Sequence, residues 1–171
     1  LVSDAGTPLV SDPGYKLVRE ALAAGLPVHA IPGASAVLAA LTLSGLPSDR
    51  FLFAGFLSSK AGERAGALAE LAAVPATLIF FESAQRLAES LSAMADALGE
   101  RPCVVARELT KRHEEVRRGT LRELAAHYAD AGAPKGEVTI VVGPPLEVGP
   151  DFARIDAALG QALAFMPVKA A

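Results

Sequence analysis

Short β-branched runs alternate along this chain with longer Ala/Leu-rich stretches at helical spacing, and this alternation restricts the fold more than any other feature. Strand-like runs separated by helices build α/β architecture, in which helices cover the faces of a buried sheet. The pattern predicts a strand end at Leu1–Asp4 and strands at Val28–Ile31, Phe51–Leu57, Thr77–Phe81, Cys103–Ala106, Glu114–Arg118 and Val138–Val142. It predicts helices over Tyr15–Ala24, Ala34–Ser44, Ala61–Ala73, Ser83–Leu98, Leu121–Ala131 and Phe152–Ala164, with Gly25 and Gly45 stopping the first two.

Composition narrows the class. At 51% hydrophobic residues and a net charge of -3, the 171 residues do not match a disordered chain, and they suffice for one or two ordinary domains. Cys103 is the single cysteine, so no internal disulfide is possible and a cytoplasmic location is the expectation. Between Glu20 and Asp49 there is no Asp, Glu, Lys or Arg, but Gly25, Pro27, Pro32, Gly33, Gly45 and Pro47 interrupt the run. Its longest unbroken piece, residues 34–46, is too short for a hydrocarbon core of about 30 Å, so no membrane span is expected. No signal peptide opens the residues given. Leu1 stands where Met would and lies in an expected strand end, which points to an N-terminally truncated sequence.

Several segments place small, acidic or basic residues at expected strand ends, where open α/β sheets bind ligands. Ser3-Asp4-Ala5-Gly6-Thr7-Pro8 is either an ordinary turn capped by Asp4 or a rest for a nucleotide-like group, its backbone N–H groups facing polar ligand atoms. Ile31-Pro32-Gly33-Ala34-Ser35-Ala36 enters a helix with Ser35 in a capping role. It lacks the GxGxxG and GxxxxGK[ST] spacings of dinucleotide and phosphate loops. Glu82 and Arg86, four residues apart, form either an exposed ion pair worth about 0.3–0.5 kcal/mol behind a Ser83 cap or part of a site. Arg107 to Glu115, with Arg117, Arg118 and Arg122, concentrates cations interrupted by Glu108, Glu114 and Glu115. It is either a solvated loop or a surface for a phosphate backbone. Lys135-Gly136-Glu137 reads as a polar turn before the last strand. His29, His113 and His127 are too scattered for a zinc site, and Cys103 belongs in the core.

The order of these segments is more specific than any one of them. SDAGTPLVSDPG, IPGASA, LPSDRFLFAGFL, FFES with Arg86, ARELTK and KGE together resemble the tetrapyrrole methylase superfamily, and within it the branch acting on a cytidine 2'-hydroxyl of bacterial 16S ribosomal RNA. The resemblance covers about residues 1–143. It implies a two-domain α/β fold whose first domain is incomplete here. Residues 1–48 would be the C-terminal part of the cofactor-side domain, 49–143 the second domain, and 144–171 a linker and small helix.

It also implies S-adenosylmethionine as cofactor, a homodimer, and 16S ribosomal RNA or the small ribosomal subunit as partner. Carried over by position, Asp4, Ala5, Gly6, Thr7 and Pro8 would lie against the methionine part of the cofactor, with Pro32, Gly33 and Ser35 beside the same cleft. Phe81 and Glu82 would approach from the second domain, Arg86, Arg107, Lys111 and Lys135 would hold RNA, and Glu82 or Glu108 would be the catalytic base. The implied reaction moves an activated methyl group in line onto a ribose oxygen, needs no metal, and depends chiefly on alignment. Two alternatives stay open. One is a tetrapyrrole methyltransferase of the same fold, which would typically carry a GDP-type loop and lack ARELTK. The other is a noncatalytic binding or dimerisation module.

Overall fold

The computed structural model describes residues 1–3, 6–146 and 152–163. Helices α1 (Tyr15–Ala23) and α2 (Ala36–Ser44) precede strand β1 (Phe51–Phe56), helix α3 (Ala61–Leu71) and strand β2 (Thr77–Ser83). A 3-10 turn (Ala84–Arg86) leads into α4 (Leu87–Leu98), followed by β3 (Pro102–Arg107), β4 (Glu115–Thr120), α5 (Leu121–Ala131), β5 (Glu137–Val142) and α6 (Phe152–Leu163). The strands form one mixed sheet in the order β1-β2-β5-β3-β4, in which β1 and β2 are parallel and every other neighbouring pair is antiparallel.

Period-two alternation assigns each strand residue to one of two cores. Leu78, Phe80, Cys103, Val105, Val138, Ile140 and Val142 face α3, α4 and α5. Ile79, Val104, Ala106 and Val141 face Val37, Ala40 and Leu41 of α2. The sheet is therefore covered on both sides, which explains why its central strands read as continuous apolar runs. Arg118 closes the α2 layer by donating to the carbonyls of Leu43 and Ser44 at the helix end. On the opposite side, Thr120 and Glu123 form a reciprocal capping box that starts α5.

Most sequence-expected elements are present with ends shifted by a few residues. Two expected strands are not. Leu1–Ser3 and Val28–Ile31 are irregular, since a strand exists only through a paired neighbour and none lies beside them among the described residues. The helix expected from Ser83 begins later, because β2 continues to Ser83 to pair with Glu137 and the chain then passes through the 3-10 turn. No helix among the described residues is long and apolar enough to cross a membrane.

Candidate functional site

Strand register gathers the motif residues at one end of the sheet, across all five strands. Phe56 pairs with Phe81, Ser83 with Glu137, and Arg107 with both Val138 and Glu115. A cleft of about 440 Å³ opens there, lined by Gly6, Thr7, Val10, Ser11 and Asp12 from the first loop, by Ser35–Val37, and by Phe56, 81–85 and 136–139. Its size falls in the range of small-molecule sites, roughly 300–1,000 Å³.

The aromatic side of the cleft depends on a bulge. Register shifts between Phe53 and Gly55, where Gly55 takes a φ of 70°. In a regular strand Phe53 and Phe56, three apart, would point to opposite faces. The extra residue returns both to one face, and both rings pack against Phe81 at centroid separations of 4.8 and 5.6 Å. A Cβ built on Gly55 would touch Ser11 Oγ at 3.4 Å, so the first loop sits directly over this bulge.

The polar side comes from the two glycine-bearing turns. Thr7 Oγ1 donates to the Ala34 carbonyl at 3.0 Å and so joins them, while Ser35 Oγ caps α2 by accepting from Leu38 N–H. Gly6, Thr7, Ser35 and Phe81 line the cleft. Pro8, Pro32 and Gly33 lie outside its lining, and Asp4 and Ala5 fall outside the described residues.

Glu82 borders the cleft, but its carboxylate faces α4, as the parity of Leu78, Phe80 and Glu82 along β2 requires. It accepts from Ser83 N–H (2.7 Å), Arg86 Nε (2.9 Å), Arg86 Nη2 (2.8 Å) and Ser90 Oγ (2.5 Å). Burial pushes this carboxyl up, yet the hydrogen bonds from Arg86, Ser90 and Ser83, with the Arg86 charge, hold it below its ordinary value. A carboxylate so occupied is a weak proton acceptor.

The expected RNA-contacting cations divide in two. Arg86 is committed to Glu82 and the Leu57 carbonyl, Arg107 to Glu115 and the Lys135 carbonyl, and Lys111 to Glu108 and Glu137. Lys135 is exposed, and among the described residues no hydrogen bond or ion pair engages its ammonium. Glu108, the other expected base, lies outside the cleft lining, and Glu137 N–H, Lys111 and the Arg107 charge hold its carboxyl below the ordinary value.

Sequence reasoning missed Asp12, Phe56, Gln85 and Thr139, all of which line the cleft. Asp12 lies in the SDPG echo of the first turn, and no ion pair engages it among the described residues. Backbone strain adds a second signal. Among the described residues the positive-φ non-glycine residues are Leu9, Ser11, Glu108 and Thr110, all in the two loops flanking this end of the sheet.

Cleft, sheet order and motif positions define a protein of the tetrapyrrole methylase class. The family model for Tetrapyrrole (Corrin/Porphyrin) Methylases matches residues 1–125, and the chain belongs to that family. Within it, the chain is 61% identical over 172 aligned positions to "Ribosomal RNA small subunit methyltransferase I" of Mesorhizobium japonicum, covering all of this chain and 58% of the relative. The Erythrobacter litoralis protein of the same name is 58% identical over 149 positions, covering 87% of this chain and 53% of the relative. The chain thus spans little more than half the length of these curated relatives.

Among solved structures, the methyltransferase CobJ aligns with a TM-score of 0.61 at 20% identity, covering 85% of this chain and 65% of that one. Uroporphyrin-III C-methyl transferase from Thermus thermophilus, solved with S-adenosylhomocysteine, aligns at 0.54 and 22% identity, covering 88% and 64%. These two establish the shared fold.

Proposed function

We propose that this chain is the cleft-bearing part of an S-adenosylmethionine-dependent methyltransferase that modifies a cytidine ribose 2'-hydroxyl of small-subunit ribosomal RNA. The observation that carries the reading is the convergence of the DAGTP, PGAS, FFES and KGE segments on one cleft, in a chain 61% identical to a protein of that name.

The lining fits the cofactor's chemistry. Phe56 and Phe81 offer apolar area for a nucleoside, while Thr7, Ser11, Asp12 and Ser35 offer polar atoms for an amino-acid group. Gly6, with a φ of 71°, lets the backbone turn beneath it. Asp4, Ala5 and Pro8 are assigned to the same end, and Pro32 and Gly33 to the outer side of the PGAS turn. S-adenosylmethionine supplies an already activated methyl group, so the residues' task is alignment of the acceptor oxygen and exclusion of water. Asp12 borders the cleft and takes the role of accepting from an ammonium or hydroxyl. Glu82 positions the end of β2. Lys135 is assigned to the RNA phosphates.

The division at residue 48 is proposed as a boundary of connectivity, with α2 serving as the layer on which the second unit's sheet packs. A homodimer and a cytoplasmic location complete the reading.

Labelled S-adenosylmethionine supplied with small ribosomal subunits tests it, using the chain in its longest natural form. Label in 16S RNA at a cytidine ribose is expected. Label on a tetrapyrrole alone would overturn the reading in favour of the other chemistry of this fold. Titration of the 171-residue chain with S-adenosylhomocysteine tests the cleft itself: heat of binding is expected, and its absence favours a noncatalytic module.

A further inference from the structure

Lys111 Nζ lies 2.9 Å from both Glu108 Oε1 and Glu137 Oε2, so one ammonium bridges the loop after β3 to the start of β5. The same Glu108 oxygen accepts from Glu137 N–H at 3.0 Å, and Glu108 N–H donates to the Glu137 carbonyl at 3.0 Å. These contacts carry the β3–β5 ladder beyond the Arg107–Val138 pair, where it would otherwise fray.

Such an approach requires glycine at position 136. Its φ is 95°, and a Cβ there would collide with Oε1, Cδ and Cγ of Glu108. Glu108 itself takes a φ of 50°, a conformation that a Glu side chain keeps only when its surroundings hold it. Arg107 Nη1 adds a further tie to the Lys135 carbonyl at 2.9 Å. Residues 135–137 are thus held by side chains of three other residues, and 136–139 form one wall of the cleft.

We propose that Glu108, Lys111 and the Glu137 carboxylate form a positioning clasp that sets the Gly136–Thr139 wall, and through it the affinity of the cleft for its adenosyl ligand, with Glu108 and Lys111 acting through that wall and not by contact with the ligand or a nucleic acid. The inference rests on the reading of the cleft as the S-adenosylmethionine site. It assigns one joint role to the ARELTK and KGE segments, which otherwise have separate ones. Partly exposed ion pairs add little to global stability, so the clasp acts locally. Its leverage is geometric, because the clasp fixes where residues 136–139 stand along the cleft.

The test is calorimetric titration of the 171-residue chain with S-adenosylhomocysteine, in wild type, Lys111→Met and Lys111→Arg. It is paired with thermal melting and amide exchange at Val138 and Thr139. Lys111→Met is expected to bind about tenfold more weakly and to exchange faster at those two amides, with little change in melting temperature. Lys111→Arg is expected to recover most of the affinity. Wild-type binding with an unchanged Lys111→Met overturns the clasp and leaves the cleft reading intact. No binding by wild type overturns the cleft reading and the clasp with it. Equal loss in Lys111→Arg, or loss accompanied by global unfolding, also overturns the clasp, since its action is on the wall and not on the fold.

Discussion

Arg86 holds the Glu82 carboxylate with two nitrogens, Nε at 2.9 Å and Nη2 at 2.8 Å, while Nη2 also donates to the Leu57 carbonyl at 2.7 Å. One guanidinium therefore ties the end of β2 to the residue following β1, and Ser90 ties the same carboxylate to α4. The Glu82 side chain is only 1% exposed. Removing the cation leaves a buried charge with two remaining donors, so Arg86→Met is expected to destabilise the chain by about 3 kcal/mol near neutral pH, measured by urea unfolding.

The pH dependence of that loss has a definite sign. In wild type the Glu82 carboxyl lies below its ordinary value of 4.5, so the unfolded chain binds more protons at acid pH. The stability it contributes is present above that value and is lost as pH falls through the lower native one. In Arg86→Met burial dominates and the carboxyl rises, which makes its penalty largest at high pH and relieves it on acidification. The gap between wild type and variant should narrow first as pH falls from the variant's raised value toward 4.5, and further below 4.5 as wild type loses its own contribution. A gap that widens on acidification would show that Arg86 acts by packing rather than by charge.

Thr7 and Ala34 are 27 residues apart and joined by one exposed hydrogen bond. Thr7→Val keeps the β-branched shape and loses only the donor. A hydrogen bond contributes about 0.5–1.5 kcal/mol, so S-adenosylhomocysteine affinity is expected to fall by roughly two- to tenfold. Global stability should change little, because both turns are exposed. Calorimetry and thermal melting on the same sample separate the two effects.

Parity along β2 was legible in the sequence: Leu78, Phe80 and Glu82 share one face, Ile79 and Phe81 the other. That alone turns Glu82 away from the face on which Phe81 meets the cleft. What parity could not supply is Ser90, whose approach depends on how α4 docks. The bulge at Gly55 escaped for the same reason, since it is recognised by Phe53 and Phe56 both reaching Phe81 across strands. Over residues 107–115 the cations suggested a phosphate surface, and the interleaved acids Glu108 and Glu115 signalled internal ion pairs as well, because they and Glu137 engage Arg107 and Lys111. Val28–Ile31 has strand composition without a strand neighbour among the described residues, and composition carries no information about neighbours.

Cys103 sits in β3, buried among the side chains facing α4 and α5, and burial pushes its thiol well above the ordinary range. The thiolate is the reactive form, so native protein should resist alkylation by iodoacetamide even at mildly alkaline pH. Reaction should follow unfolding. The expected measurement is a labelling rate that rises with urea in parallel with loss of the helical signal, which makes Cys103 a reporter of opening in the core. Rapid labelling without denaturant would mean that β3 opens locally.

Gly136→Ala separates the two demands made at the clasp. One is conformational: a φ of 95° strains any residue with a Cβ, a cost of about 1–3 kcal/mol. The other is steric, because the new methyl meets Glu108. Glu108→Ala removes the obstacle and leaves the conformational cost, so the cycle of the two single variants and the double variant isolates the contact. Gly136→Ala alone should be the more damaging in the wild-type background, and the double variant should be more stable than the sum of the singles predicts, with a coupling of about 0.5–3 kcal/mol. Urea unfolding of the four proteins gives that coupling directly. Strict additivity would mean that the Glu108 side chain swings clear at no cost, in which case its carboxylate does not hold the Gly136–Thr139 wall.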